Sequence, residues 1–124
     1  MHDSFTTEQK KKIITFINLA LTFNKTHNIF SRKNHNEVYK KDILDCLPLI
    51  GFLKKNDNVL DLGTGGGFPG ILLSIAKPSS QINLLEKSKK KCYFLKIVID
   101  ELKLKNTRIV NKTISKQNTL GKFD

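Results

Sequence analysis

The residues best equipped for chemistry fall in one segment, Val59-Leu60-Asp61-Leu62-Gly63-Thr64-Gly65-Gly66-Gly67-Phe68-Pro69-Gly70. Glycines at 63, 65 and 67 let the backbone turn sharply and approach a ligand where a Cβ would collide. Pro69 suits the first turn of a following helix, whose N-terminal amides favour an electron-rich or carboxylate group. Glu86 stands 19 residues past Gly67, at the end of what reads as a second strand. A carboxylate there can accept hydrogen bonds from both ribose hydroxyls of an adenosine cofactor. Loop, helix N-terminus and acid in this order specify an adenosine-containing ligand.

Two ligands compete for that description. Gly65-x-Gly67-x-x-Gly70 satisfies the dinucleotide fingerprint G-x-G-x-x-G, which points to NAD and an oxidoreductase. Asp61, two residues before Gly63, is placed instead to meet a positively charged amino group and would repel a pyrophosphate. Pro69 also stiffens the turn where a dinucleotide needs the closest backbone approach. The cofactor expected is S-adenosylmethionine, whose ammonium and sulfonium groups are both cationic. The bland alternative is a glycine-rich turn that binds nothing.

These residues need a frame. Asn58–Leu62 reads as a buried strand, 68–77 as a helix and 81–86 as a strand. Ser88–Lys103 reads as a helix capped by Ser88, and Thr107–Asn111 as a third strand. Strand, helix, strand, helix, strand is the mononucleotide-binding half of a doubly wound α/β sheet. Right-handed crossovers put its strands in the order third, second, first. The first strand is then central in a complete sheet, and the chain ends at Phe123-Asp124 where a fourth could begin. An open apolar edge predicts marginal stability and aggregation.

The texture changes near residue 55, dividing a helical segment (1–55) from a partial cofactor-binding domain (56–124). The first helix opens at Thr6, whose hydroxyl can cap while Gln9 reaches back. Lys10-Lys11-Lys12 before the apolar run 13–23 imitates a targeting signal. The run is too short for a bilayer, which takes about 20 residues. Thr15, Asn18 and Thr22 share one helical face, with Ile13, Ile14, Ile17, Leu21 and their neighbours on the other. That is an amphipathic helix of a cytoplasmic protein. A second helix spans roughly 36–53, with Val38, Ile43, Leu47 and Ile50 on one side, and Pro48 must kink or end it.

Composition bounds the rest. The 124 residues are 39% hydrophobic, enough for a modest core, and carry a net charge of +11. Cys46 and Cys92 sit far apart, with no C-x-x-C pair and no metal-ligand spacing, so they read as two unrelated thiols and no metal is expected. The charge invites a nucleic-acid partner. Yet 20 of the 22 basic residues are Lys, which, with abundant Ile and Asn, also fits A/T-rich coding. Lys87, Lys89, Lys90 and Lys91, at the start of the second crossover helix, either reach RNA phosphate or form a solvated helix end.

The run Asp61-Leu-Gly-Thr-Gly-Gly-Gly-Phe-Pro-Gly-Ile resembles the ribosomal RNA small subunit methyltransferase G family, also called glucose-inhibited division protein B. Phe23-Asn24, Asn28-Ile29, Ile43-Leu44-Asp45-Cys46, Leu84-Leu85-Glu86, Lys90-Lys91, Phe94-Leu95 and Leu102-Lys103-Leu104-Lys105-Asn106 flank it in the family's order. The resemblance implies N-terminal helices followed by the first half of a Rossmann-like methyltransferase parallel sheet, with three strands and two crossover helices. It implies S-adenosylmethionine-dependent methylation of guanine N7 in small-subunit (16S) ribosomal RNA, within the 30S particle or its precursor. A cytoplasmic protein with no membrane partner is expected, and the complete family fold is expected to be a monomer.

Carried over by position, Gly63 and Phe68 are implied as cofactor contacts in the loop, beside Asp61, Gly65 and Gly67. Glu86, Lys87 and Ser88 are implied at the ribose, and Ile114 and Ser115 beside the adenine. Several positions depart from the family pattern. Phe23 replaces a Trp, Asp42 a His and Cys46 a Ser, and Thr113-Ile114-Ser115 stands where Arg-x-Glu is usual. The family continues through four more strands, the next bearing a Ser-Arg-Ala motif just past residue 124. The alternative is a truncated, non-catalytic remnant with a basic RNA-binding surface. No catalytic residue is nominated, because guanine N7 carries no proton and requires no general base.

Overall fold

The computed structural model describes residues 5–28, 34–62 and 68–111. Helix α1 (Thr7–His27) starts at a complete capping box. The Gln9 N–H donates to Thr6 Oγ1 at 3.1 Å and the Thr6 N–H donates to Gln9 Oε1 at 2.9 Å. The Gln9 amide then reaches two carbonyls of another helix, Ile75 O and Ala76 O, both at 3.3 Å. Ile13, Phe16, Ile17 and Ala20 form the buried stripe of α1. Their steps of three, one and three keep them within one helical face. Ile14 is 44% exposed, which corrects its assignment to that face. Phe16 and Ala20 complete the stripe, and Leu21 is half-buried against the core as expected.

The second helical run is interrupted. It comprises α2 (His35–Val38), a π-helical turn (Tyr39–Ile43) and α3 (Leu44–Phe52). The Leu44 N–H donates to Tyr39 O, five residues back. The apolar pattern accounts for the extra residue: Val38 and Ile43 are five apart, and both are fully buried. A regular helix would rotate them well apart, whereas the wider turn brings both to the core. Pro48 lies inside α3 without ending it, though its missing N–H deprives the Leu44 carbonyl of its usual donor.

Three parallel strands follow: β1 (Asn58–Leu62), β2 (Gln81–Leu85) and β3 (Thr107–Val110), in the order β1-β2-β3. Helix α4 (Phe68–Ala76) links the first two and α5 (Lys89–Leu102) the last two. The expected order and elements are all present, with boundaries within a residue of the sequence reading. Asp61 pairs with Leu84 and Leu84 with Ile109, which fixes one face of the sheet. Helix α4 packs on that face at Gly70, where an added Cβ would collide with Leu84 Cδ2. Helix α1 packs across α4 and α5, with Phe16 and Phe94 rings 6.4 Å apart. Ile13, Phe16, Ile71, Leu72, Ile82, Leu84, Leu95 and Val98 are among the fully buried members of one continuous core. Each such side chain contributes roughly 1.5–3 kcal/mol relative to leaving it in water.

The opposite face carries a polar ladder. Asn83, 1% exposed, donates to Asn58 Oδ1 at 2.8 Å and to Val59 O at 2.9 Å, and accepts from Arg108 Nε at 3.1 Å. A buried amide is tolerated there because its nitrogen and oxygen are both satisfied. No helix among the described residues is long and apolar enough to cross a membrane.

Candidate functional site

In open parallel sheets, ligands bind beyond the carboxyl ends of the strands. Asp61 is the fourth residue of β1 and Glu86 directly follows β2, so the fold brings the two predicted acids to that end. They are close enough to interact electrostatically. Burial is the main reason the Asp61 carboxyl rises to a pKa of about 6; the negative Glu86 raises it further, and a backbone hydrogen bond from Gly70 opposes the rise. Asp61 Oδ2 is buried and has no hydrogen-bond partner among the described residues. A buried carboxylate oxygen left in this state is costly unless a cation or donor meets it.

Gly70 sets how near α4 comes to this group. A Cβ at position 70 would lie 2.7 Å from Asp61 Oδ2 as well as colliding with Leu84. The last glycine of the motif is therefore required by helix-to-sheet packing. Ser74, one turn along and buried, spends its hydroxyl on the Gly70 carbonyl at 3.0 Å.

Glu86 is 5% exposed and held by the start of α5. Its Oε2 accepts from the Ser88 N–H at 2.9 Å. Ser88 in turn caps α5, its Oγ accepting from the Lys91 N–H at 3.3 Å. The Glu86 N–H donates to Val110 O at 3.0 Å, so neighbouring β3 fixes the backbone that carries the acid. Two further residues hold this corner, and spacing gave no sign of either. Cys92 Sγ lies 3.4 Å from Glu86 O; partial burial and the nearby Glu86 charge push its thiol pKa up. The Asn111 amide, with its nitrogen turned toward them, donates to Glu86 O at 2.9 Å and to Lys87 O at 3.3 Å.

The remaining predicted residues divide. Phe68 opens α4. Lys87, Lys89 and Lys90 are exposed, and Lys91 is half-buried. The Lys90 ammonium donates to His27 O at 3.0 Å, closing the C-terminus of α1. Gly63, Gly65 and Gly67 lie outside the described residues, as do Ile114 and Ser115.

Comparison with known proteins gives this geometry a context. Residues 9–124 match the profile of the family described as rRNA small subunit methyltransferase G. A relative of that name from Escherichia coli is 35% identical over 121 residues, covering 98% of this chain and 58% of its own. One from Pseudomonas putida is 33% identical over 120 residues, covering 96% and 56%. One from Pseudomonas aeruginosa is 31% identical over 117 residues, covering 94% and 55%. The chain thus spans a little over half the length of these relatives.

Among solved structures, coclaurine N-methyltransferase bound to N-methylheliamine and SAH superposes with a TM-score of 0.63 at 13% identity, covering 98% of this chain and 42% of that one. A Plasmodium falciparum protein described as a protein-L-isoaspartate O-methyltransferase, in complex with S-adenosyl-L-homocysteine, gives 0.61 at 19% identity, covering 91% and 58%. The architecture is the Rossmann-like sheet these methyltransferases share. The chain belongs to the rRNA small subunit methyltransferase G family.

Proposed function

We propose that this chain binds S-adenosylmethionine and forms the cofactor-binding half of an enzyme that methylates guanine N7 in small-subunit ribosomal RNA. The observation that carries the reading is Asp61 Oδ2, a buried carboxylate oxygen with no partner among the described residues, beside the start of a glycine-rich loop. The residues present fit the cofactor. Asp61 would hold the ammonium group, whose charge offsets the desolvation of the acid. Glu86, anchored by the Ser88 amide, would accept from the ribose hydroxyls. Lys87 and Ser88 would flank that sugar, while Gly63, Gly65, Gly67 and Phe68 would line the loop and Ile114 and Ser115 the adenine.

When bound, the cofactor would supply a sulfonium methyl that the guanine N7 lone pair can attack directly, the C–S bond breaking to release the neutral thioether S-adenosylhomocysteine. The protein's share is alignment, which in favourable cases supplies about 7–11 kcal/mol. N7 carries no proton, so none of these residues needs to act as a general base. The family assignment favours this reading over a dinucleotide-dependent oxidoreductase, and the negative Asp61 disfavours a pyrophosphate on the same ground.

The test is a hybrid enzyme, this chain continued by the C-terminal segment of the Escherichia coli relative. Incubated with labelled S-adenosylmethionine and small-subunit RNA, it should yield 7-methylguanosine after nuclease digestion, and Glu86→Ala should reduce the product at limiting cofactor. Label in a different nucleoside would overturn the N7 assignment. Label unaffected by Glu86→Ala would overturn the cofactor site.

A further inference from the structure

Helix α5 exposes an aromatic ring among lysines. Tyr93 is 60% exposed, while its neighbours on the other face of α5, Phe94 and Leu95, are fully buried. The ring has support on one side. Its centroid lies 6.1 Å from that of Phe23, tilted by 45°. Phe23 is itself fixed by Phe94 at 5.1 Å and by a parallel stack on His27 at 3.8 Å. Lys90 ties the two helices together through His27 O, so the platform beneath Tyr93 is built from both α1 and α5.

The charges around it have a pattern. Lys89 and Lys96 lie four residues before and three after Tyr93, which puts all three on one exposed stripe of α5. The two lysines are about 10 Å apart along the helix axis, with the ring between them. Lys25, in the last turn of α1, is exposed nearby in sequence to His27. The first acid on the stripe is Asp100, a full turn beyond Lys96. The stripe begins at the N-terminus of α5, three residues after Glu86, and therefore at the end of the sheet that carries the candidate site.

We propose that Tyr93, braced by Phe23, is a stacking platform for an unpaired base of single-stranded RNA whose flanking phosphates are met by Lys89 and Lys96. An aromatic face flanked by cations matches what single strands offer, a π-surface between two phosphates. An acidic peptide would use the lysines alone and leave the ring idle. The proposal rests on the RNA-substrate reading above and assigns that substrate a surface on this chain. It also divides the lysine run: Lys89 joins the RNA stripe, and Lys90 serves the contact between α1 and α5.

The test uses the full 124-residue chain and a fluorescein-labelled 12-nucleotide oligoadenylate RNA. Its two tyrosines and absence of Trp make a Tyr39→Phe background report Tyr93 emission alone. Saturating RNA should quench that emission. Tyr93→Ala should weaken binding roughly 5- to 150-fold while Tyr93→Trp retains it. Lys89→Gln and Lys96→Gln should each lower the slope of log affinity against log salt by about 0.7.

Equal RNA affinity for Tyr93→Ala would overturn the proposal, as would quenching of the same size by inorganic polyphosphate. Circular dichroism of Tyr93→Ala guards against misfolding. Titration with S-adenosylmethionine separates the two claims. Tyr93-dependent RNA binding by a chain that ignores the cofactor would leave the platform standing and overturn the cofactor site. Cofactor binding with Tyr93-independent RNA affinity would do the reverse.

Discussion

Gly70 stands so close to Asp61 that a single added carbon would lie 2.7 Å from the carboxylate Oδ2. The first turn of α4 and the end of β1 are thus fitted to each other around one half-buried acid. Gly70→Ala would force that carbon onto Asp61 and Leu84 together. It should lower stability by about 1–3 kcal/mol, the usual cost of overpacking. Gly51, also helical, has nothing within 4 Å of a Cβ, so Gly51→Ala should be neutral or stabilising by up to about 1 kcal/mol. Urea denaturation of the pair checks both signs.

The acid itself makes stability depend on pH. Its carboxyl has a pKa of about 6 in the folded chain against 3.8 ordinarily. Between those values the folded state holds the proton more tightly than the unfolded state, so stability falls as pH rises from about 4 to 6. Solvent screening reduces the full shift to a loss on the order of 2 kcal/mol. Asp61→Asn should remove this dependence and raise the melting temperature at pH 7. Thermal melts from pH 4 to 8 read the difference.

A cation bound at Asp61 reverses the preference, favouring the ionised acid. Affinity for S-adenosylmethionine should therefore strengthen as pH rises through about 6, then level off, with the rise lost in Asp61→Asn. Calorimetry between pH 5 and 7.5 would show it, and in the lower half of that range proton release should accompany binding.

On the other sheet face, Asn83 satisfies two acceptors and one donor while almost fully buried. Asn83→Ala leaves the Arg108 Nε donor and the Val59 carbonyl without this partner. The expected loss is about 1–3 kcal/mol. Arg108→Ala, at the exposed end of the ladder, should cost less. Denaturant midpoints of the two variants test the ranking.

Much of the frame was legible in the sequence because the signals were local. The capping box at Thr6 and Gln9 and the cap at Ser88 depend on residues three apart. The alternation of apolar strands with periodic helices fixed β1 to β3. The acids at 61 and 86 were legible for the same reason, since a strand end dictates where its next residue points. Features made by distant contacts were not legible. Ile14 is apolar yet exposed because α1 meets α4 and α5 along the face that carries Phe16 instead. The π-helical turn was visible only as the five-residue step from Val38 to Ile43. Cys92 and Asn111 reach Glu86 through backbone carbonyls, which no side-chain pattern encodes, and the buttressing of Tyr93 by Phe23 joins residues 70 apart in the chain.

The most direct test of the central claim, that the Asp61–Glu86 end of the sheet is a cofactor site, is calorimetric titration of the 124-residue chain with S-adenosylmethionine at pH 7, with NAD as control. The account predicts saturable one-to-one binding of the first and none of the second, weakened by Glu86→Ala and abolished by Gly65→Asp. A chain shown by circular dichroism to be folded, yet giving no binding heat with S-adenosylmethionine at several temperatures, would contradict it.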